Sequence, residues 1–314
     1  MRNIILIEPS VVWRIILFSP LLFLINFPFE FNADYVNYFP NYVYGQFAYE
    51  PLFEWYSFFV REILSLDFFR FWISLTVIEV LLFSLIYRNW LTIVLSFFSI
   101  VGMSQFFYGT QIRYAIAALF LIYIFVYVSR LYLKIFMAIT ISLFHFGGFI
   151  LSVVGFIGNY IKPSLLVINK FRTLVFFAVS LVLVYIFLQN FDLIVSVTRF
   201  SYYIDSGKYT EPISLALFSY LFLSLAFLIF GYSSNSNMRS VELKLGIILL
   251  TFSLSFSPIA GLSGRMSLFY FVLEPLIISK IITIKGSLYI KILLFSLFIT
   301  RCLFYIFSAT LYFY

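Results

Sequence analysis

Two arginines lie beside apolar segments, where burying a guanidinium group is costly unless it binds an anion or another polar group. Arg113 lies at the start of the apolar run 111–129, and Arg265 follows Pro258 and two glycines between two further runs. A guanidinium group holds a diphosphate through paired N–H···O bonds, and a helix amino terminus adds positive partial charge. We therefore predict that both arginines bind a diphosphate, with Arg199 as a third candidate. The alternative is that these side chains extend to the phosphates of membrane lipids.

Proton transfer would need a base, for which the sequence offers one histidine and a few acidic residues. His145 follows apolar residues, and a neutral imidazole is the side chain most easily used as a base near neutral pH. Asp34 and Glu50 are the second choice. Glu50 and Glu54 share a helix face if a helix begins at Pro51, a residue that suits the first helical position. The alternatives are a histidine that hydrogen-bonds a carbonyl at a helix break and carboxylates that are solvated in a loop.

The sequence contains no motif of a metal centre or of a bound cofactor. One histidine and one cysteine, Cys302, are too few for a zinc site. The acidic residues of the first hydrophilic segment could bind Mg²⁺, but no D-x-D pair is present, nor is a Walker, G-x-S-x-G or H-E-x-x-H motif. We therefore expect metal-independent chemistry without a cofactor.

The composition decides the class of protein that must position these side chains. The chain is 63% hydrophobic and only 11% charged, whereas a soluble domain carries about 25% charged residues. Soluble enzymes, disordered proteins and nucleic-acid-binding domains are excluded, so no nucleic acid is expected as a partner. Apolar runs such as 10–27, 68–87, 111–129 and 288–312 have the length of transmembrane helices, and at about 20 residues for each the chain has room for about 10–11 of them. The abundant phenylalanine and tyrosine are expected to face lipid or to lie at the membrane interfaces. No repeat or linker interrupts it, which predicts an all-α polytopic membrane protein with a single integral membrane domain over residues 1–314.

The distribution of lysine and arginine predicts the orientation. Two hydrophilic segments are long, 28–67 and 192–212, and the apolar run 135–160 contains the pair Gly147–Gly148. If this run is a helical hairpin that turns near His145, short loops rich in lysine and arginine face the cytoplasm, in accord with the positive-inside rule. Both long loops, His145 and the two arginines then lie on the external face. The external position of both long loops is therefore predicted only together with the hairpin at 135–160.

Several segments together resemble the Wzy/EpsG family of bacterial polysaccharide polymerases, and they extend over about residues 34–285. In one of them, a tyrosine stands where the family usually has glutamine. The segments are Asp34–Tyr35, Tyr49–Phe53, Ile112–Ala117 with Tyr114 as the departure, Phe144–Gly147 and Arg265–Tyr270.

The resemblance implies a substrate and an architecture that composition alone does not reveal. Such polymerases take an undecaprenyl-diphosphate-linked oligosaccharide as donor and another as acceptor, and build O-antigen or exopolysaccharide. Their fold is similar to the C-type glycosyltransferase class, with external loops over a lipid-facing cleft. The resemblance therefore implies a site on the periplasmic face of the inner membrane, an inverting displacement in one step, and contact with membrane lipid. A chain-length regulator protein is a further candidate partner.

On this interpretation, polar residues near the arginines and in the second long loop would contact sugars, although an ordinary surface loop is the alternative. Two other functions stay open: a flippase for the same lipid-linked sugar, which would use the intramembrane Glu79 and Glu274, and an O-antigen ligase-like transferase. The predicted sugar-contacting residues are Gln111, Tyr202, Tyr203 and Asp205.

Overall fold

A computed structural model describes residues 7–26, 33–160, 212–232, 240–284 and 286–311, and the helical positions Val179, Val182 and Ile186. Every regular element within these ranges is helical, as the composition predicts. In the first half of the chain the helices are α1 (Val11–Phe18), α2 (Leu21–Asn26), α3 (Ala33–Tyr44), α4 (Pro51–Phe58), α5 (Phe68–Ile86), α6 (Trp90–Met103), α7 (Ile112–Tyr127), α8 (Leu131–Phe144) and α9 (Gly147–Tyr160). The later helices are α10 (Leu215–Tyr232), α11 (Val241–Ser255), α12 (Ala260–Thr283) and α13 (Leu288–Leu311).

Four helical stretches in the described part of the chain are long and apolar enough to cross a membrane. They are Phe68–Ile86, Trp90–Tyr108, Ala260–Thr283 and Leu288–Ser308. The second combines α6 with a π-helical turn at Ser104–Tyr108. Four shorter apolar helices accompany them. The protein is therefore an all-α polytopic membrane protein, and the number of about 10–11 spans stays a prediction.

The chain divides into two compact units. The first unit comprises Met1–Gly155 and Ile299–Tyr314, and the second comprises Phe156–Phe298. The prediction of one membrane domain over residues 1–314 stays a prediction.

Helix α5 forms the centre of the first unit, where it packs against α1, α2, α3 and α7. Its apolar residues Phe71, Leu75 and Phe83 are buried. Helix α7 presents the small residues Ala115 and Ala117, which are completely buried. Small side chains allow helices to approach closely where lipid gives no hydrophobic drive for association. Helix α5 thereby contacts α3, and α8 contacts α4. Both α3 and α4 belong to the predicted external segment 28–67.

In the second unit, α11 packs against both α10 and α12. Ser253 of α11 and Ser263 of α12 exchange hydrogen bonds: each hydroxyl donates to the other residue's carbonyl oxygen, at 3.0 and 2.7 Å. Gly246 lies against Ile277, with so little space that an added Cβ would be 2.4 Å from the Ile277 Cδ1. These small residues hold α12 against α11 near its first turn, at Ser263, and near its later part, at Ile277.

The structure differs from the sequence interpretation in two places. The apolar run 10–27 is not one helix but two, since Ser19 and Pro20 separate α1 from α2. Pro20 has no N–H to donate to the carbonyl oxygen of Ile16, which accepts the Ser19 hydroxyl at 2.8 Å instead. Arg265 does not lie in the break before α12, because the helix begins at Ala260 and includes both glycines and Arg265. Near the middle of the run 135–160, α8 ends at Phe144 and α9 begins at Gly147.

Gly109 allows the tightest backbone approach in the first unit. It follows the π-helical turn, and a Cβ there would lie 2.5 Å from the carbonyl oxygen of Ile25 and 3.1 Å from that of Ser104. We expect Gly109→Ala to destabilise the protein by about 1–3 kcal/mol, since backbone must move to make room. Thermal unfolding in detergent would measure the loss.

Gly264→Ala is the matched control, because nothing lies within 4 Å of a Cβ at Gly264. This change should be neutral or stabilise by up to about 1 kcal/mol, as alanine is the better helix former. Equal melting temperatures for the two variants would contradict the tight approach at Gly109.

Candidate functional site

Arg113 lies in the first turn of α7 and forms an ion pair with Glu50. The Nη1 group of Arg113 donates to Oε2 of Glu50, and the side chains are only 11% and 23% exposed. A cation in the first turn of a helix is unfavourable, because the helix macrodipole places positive partial charge there. The carboxylate of Glu50 compensates both this effect and the loss of hydration. The pair therefore joins the predicted external segment to the start of α7.

Three aromatic rings surround the Arg113 guanidinium. Its Cζ atom lies 4.1 Å from the ring centroid of Tyr49 and 5.0 Å from those of Tyr38 and Phe53. The Nε group donates to the hydroxyl of Tyr38. Cation–π contacts of this kind gain strength when water is excluded. We call Arg113, Glu50 and these three aromatic residues the Arg113 box.

Glu54 holds the segment that carries Tyr49 and Glu50. Its Oε1 accepts hydrogen bonds from the backbone N–H groups of Ala48 and Tyr49, at 3.0 and 2.7 Å, and from Nδ2 of Asn41 at 3.2 Å. Pro51 occupies the first position of α4, with Glu50 at the N-cap. Glu54 thus supports the loop, whereas Glu50, one turn earlier, contacts Arg113.

The end of α3 is held in a similar way. Gly45 adopts φ +66°, a left-handed conformation that ends a helix and that favours glycine. Arg61 donates from Nη1 to the carbonyl oxygen of Tyr42 at 2.7 Å, which satisfies an acceptor left without an intrahelical partner. These contacts fix α3, and with it Asp34 and Tyr38.

Glu50 also reaches the break between α8 and α9. Its Oε1 accepts the backbone N–H of Phe146 at 2.9 Å, while Oε2 accepts from Arg113. One carboxylate therefore connects three segments that are distant in the sequence. His145 precedes Phe146 directly, so the histidine belongs to the same end of the first unit as the Arg113 box.

The imidazole of His145 is fixed by its neighbours. Its Nδ1 accepts the backbone N–H of Gly147 at 2.9 Å, and the ring of Tyr114 packs edge-on at a centroid distance of 5.5 Å. A Cβ at Gly147 would lie 2.9 Å from the imidazole, so glycine is required for this approach. In the neutral ring, an accepting Nδ1 leaves the proton on Nε2. This geometry favours His145 as a hydrogen-bond donor and not as the base that the sequence interpretation preferred.

Asp34 lies one helical turn before Tyr38 on α3. Burial raises the pKa of its carboxyl group to about 6, while the charge of Arg113 and a hydrogen bond with the Asn37 side chain act to lower it. Burial also raises the pKa of the Tyr38 hydroxyl, so this group is neutral at physiological pH. Asp34 thus combines proximity to Arg113 with a basicity above that of an ordinary aspartate.

The remaining predicted residues are placed as follows. Gln111 is the N-cap residue of α7 and is partly exposed, two positions before Arg113. Arg265 is partly exposed in the second turn of α12, in the second unit. Arg199, Tyr202, Tyr203 and Asp205, with the predicted loop 192–212 up to residue 211, lie outside the described residues. In the described ranges, no group of three or more His, Cys, Asp or Glu side chains is arranged to hold a metal ion.

Sequence reasoning missed the aromatic residues of the Arg113 box. Abundant phenylalanine and tyrosine were interpreted as lipid-facing or interfacial residues. One available signal was the spacing of Asp34 and Tyr38, which places them on one face of α3. Another was the position of Tyr49 beside Glu50, ahead of a proline that starts a helix.

Comparisons with known proteins give one positive result. Neither curated proteins nor solved structures contain a significant match to this chain. The sequence profile of the EpsG family matches residues 11–313, which includes every segment of the resemblance noted from the sequence. The match indicates a polysaccharide polymerase-like role in a membrane. This chain belongs to the EpsG family.

Proposed function

We propose that this protein is a glycosyltransferase that polymerises undecaprenyl-diphosphate-linked oligosaccharide repeat units into O-antigen or exopolysaccharide. The reaction would take place on the periplasmic face of the bacterial inner membrane, between a lipid-linked donor and a lipid-linked acceptor. The observation that carries the proposal is the Arg113 box, in which a largely buried guanidinium at a helix amino terminus is paired with Glu50. The carboxyl group of Asp34 interacts with the same guanidinium, and His145 directly precedes Phe146, whose N–H Glu50 accepts.

Arg113 retains the means to hold a diphosphate. Its hydrogen bonds to described residues use Nε and Nη1, so the Nη2 amino group is available to phosphate oxygens. The aromatic rings of Tyr38, Tyr49 and Phe53 keep the guanidinium plane in place. A planar donor group that is already oriented loses little entropy when it binds a planar or tetrahedral oxyanion. The amino terminus of α7 adds positive partial charge.

The proposed reaction breaks the bond between the sugar C1 and the diphosphate oxygen of the donor. The acceptor hydroxyl oxygen forms a new bond to C1, and the diphosphate leaves with the electron pair. Negative charge therefore grows on the diphosphate, and Arg113 would stabilise it. Stabilisation of developing charge by oriented donors is usually the largest contribution to catalysis. His145 would add an Nε2–H donor to the same group.

Asp34 is the base that the geometry favours for the proton of the acceptor hydroxyl. Glu50 accepts hydrogen bonds at both oxygens, Nδ1 of His145 accepts one from Gly147, and Asp34 has one with the Asn37 side chain. What distinguishes Asp34 is its burial, which raises its basicity. With a pKa of about 6, Asp34 is ionised at neutral pH yet more basic than an ordinary aspartate. A base is most effective when its pKa is near the working pH.

Other contacts complete the proposal. Arg265, and Arg199 outside the described residues, would contribute further charge to the diphosphates. Gln111, Tyr202, Tyr203 and Asp205 would contact sugars, and a chain-length regulator would be a partner in the membrane. No cofactor is required in this scheme.

We expect Arg113→Ala to abolish polymerisation while the protein stays in the membrane at normal levels. Removing the principal donor to the leaving group should lower the rate about 10²–10³-fold. Arg113→Lys should recover little, because an ammonium group lacks the planar donor set. The measurement is the length of surface glycan in cells that lack the native gene: loss of a polymerase leaves glycolipid with a single repeat unit.

Arg70→Ala is the control, since Arg70 is an exposed arginine at the start of α5 with only a loose contact to Asp67 at 3.8 Å. It should make long chains. If Arg113→Ala also makes long chains, the diphosphate assignment is wrong. If it yields no surface glycolipid at all, the protein acts as a flippase or ligase instead.

The activity of the wild-type protein should rise with pH through about 6, as Asp34 loses its proton and becomes able to accept another. Asp34→Asn should lower the rate about 10²–10⁴-fold and remove this rise. The pKa of Asp34 is higher in the folded protein than in the unfolded chain. Ionisation of this carboxyl group therefore lowers the free energy of unfolding as the pH increases through about 6. Asp34→Asn should therefore melt higher than wild type above that pH. A pH–rate profile that Asp34→Asn leaves unchanged would exclude this base.

Two variants of His145 distinguish a side chain that donates a hydrogen bond to the diphosphate from a base that accepts the proton of the acceptor hydroxyl. His145→Gln keeps a side-chain N–H donor but cannot act as a base; we expect it to retain more activity than His145→Ala. Gly147→Ala should resemble His145→Ala, because its Cβ would displace the imidazole. Polymerisation assays in membranes would measure all three. Equal, complete loss in His145→Gln and His145→Ala would favour the base.

A further inference from the structure

A row of polar side chains runs along one buried face of α5 in the first unit. Trp72, Thr76 and Glu79 are spaced so that they lie above one another on a helix, and each is completely buried. Nδ2 of Asn26, on α2, donates to Oγ1 of Thr76 at 2.9 Å. This row lies within a helix that is long and apolar enough to span the membrane.

Several polar atoms of this row have no hydrogen-bond partner among the described residues. They are Nε1 of Trp72, both carboxyl oxygens of Glu79, Oδ1 of Asn26 and the hydroxyl of Tyr108. Buried polar groups in native proteins are almost always satisfied, by protein or by ordered water. Trp72 and Glu79 belong to α5, Asn26 to α2, and Tyr108 to the π-helical turn at Ser104–Tyr108. Because α2 packs against both α5 and this turn, unsatisfied atoms in all three elements require an explanation.

Tyr108 belongs to the same region as Glu79. Its ring packs edge-on against Phe83, one helical turn after Glu79, at a centroid distance of 5.1 Å. It is completely buried and lies within electrostatic range of Glu79, Tyr87 and Arg301. The carboxyl group of Glu79 and the hydroxyl of Tyr108, neither of which has a hydrogen-bond partner among the described residues, therefore lie within electrostatic range of each other.

No cation balances Glu79 within the described part of the chain. The ion pairs there join Arg61 to Glu62, Arg70 to Asp67 and Arg113 to Glu50. The buried Arg301 instead donates to Oγ of Ser99 and to the sulfur of Met103. The buried Arg14 of α1 interacts electrostatically with Arg88, Glu8 and Tyr127. An ionised carboxylate with no partner is strongly disfavoured in a membrane interior, whereas a neutral carboxyl group is both donor and acceptor.

We propose that this face of α5 is an internal site for water and for one proton, in which Glu79 is the neutral acid. Ordered water molecules would bind between the carboxyl group of Glu79, the hydroxyl of Tyr108 and the groups of Trp72 and Asn26. A buried water usually makes about three hydrogen bonds to such unsatisfied groups. Trp72 also packs against Tyr38 of the Arg113 box, with ring centroids 5.7 Å apart, but the proposal does not depend on the proposed polymerase activity.

Infrared spectroscopy of the full chain in lipid nanodiscs tests the proton. At about pH 8, where Asp34 with its pKa of about 6 is ionised, wild type should show the carbonyl band of a protonated carboxyl group. Glu79→Gln should lose this band and keep the wild-type melting temperature, because the amide is neutral and can bind the same water. Glu274→Gln removes the buried carboxyl group that Tyr220 contacts and should keep the band.

The opposite results would overturn the proposal: a spectrum without the band, a band that persists in Glu79→Gln, or a band lost in Glu274→Gln alone. If Glu79→Gln fails to fold, the wild-type and Glu274→Gln spectra still decide whether a protonated carboxyl group other than Glu274 is present.

Tyr108→Phe tests the water. Loss of one hydroxyl from the shared hydrogen bonds should shift the Glu79 band and remove an internal-water band, identified by its shift in isotopically labelled water. Tyr42→Phe is the matched control, as Tyr42 is also buried, but its hydroxyl donates to the carbonyl oxygen of Leu66 at 2.7 Å and its ring packs on Phe71, two turns before Glu79. Identical spectra for Tyr108→Phe and wild type would show that no water is shared there.

Discussion

The first unit depends on how a positive charge can be kept almost entirely out of water. Removing the hydration of a guanidinium is expensive unless an anion and further polar or aromatic groups replace it. In the Arg113 box, Glu50 supplies the anion, Tyr38 supplies an acceptor, and three rings supply their electron-rich faces. Tyr38 belongs to α3, while Tyr49, Glu50 and Phe53 belong to the loop before α4 and its first turn. Glu50 also accepts the N–H of Phe146 in the break between α8 and α9. The Arg113 box therefore joins these three segments to the start of α7.

This arrangement also explains why neighbouring carboxylates differ. Oε1 of Glu54 accepts the backbone N–H groups of Ala48 and Tyr49, so this side chain supports the loop. Glu50 is held by Arg113 and by the backbone of Phe146. Burial raises the pKa of Asp34, and the charge of Arg113 only partly compensates for this. Three acidic side chains of one hydrophilic segment thus have three roles, which their surroundings decide.

Much of the fold could be predicted from the sequence, because helices in a membrane require long apolar runs. The runs at 68–87, 111–129 and 288–312 each correspond to one helix, with ends that differ by a few residues. Proline indicates the start of α4 at Pro51, whereas Gly261 and Gly264 lie within α12 and do not break it. The run 10–27 also differs, because Pro20 lacks the N–H that would continue α1.

The site was only partly predictable. Arg113, Glu50, Asp34 and His145 were all chosen by residue type, and the structure places these four at one end of the first unit. Their roles depend on contacts that leave no trace in local sequence. The partner of Glu50 lies 63 residues away, and the N–H groups of Phe146 and Gly147 belong to the backbone, which every residue possesses.

The order of these residues along the chain has a consequence for biogenesis. Glu50 is synthesised 63 residues before Arg113 and 96 before Phe146. At about 5–20 residues per second, the carboxylate waits roughly 3–13 s for the arginine. A lone carboxylate in a hydrophilic loop stays hydrated at no cost, whereas a lone guanidinium entering the bilayer would be penalised. Because the anion comes first, the arginine has its counter-ion ready when the ribosome and the insertion machinery deliver it.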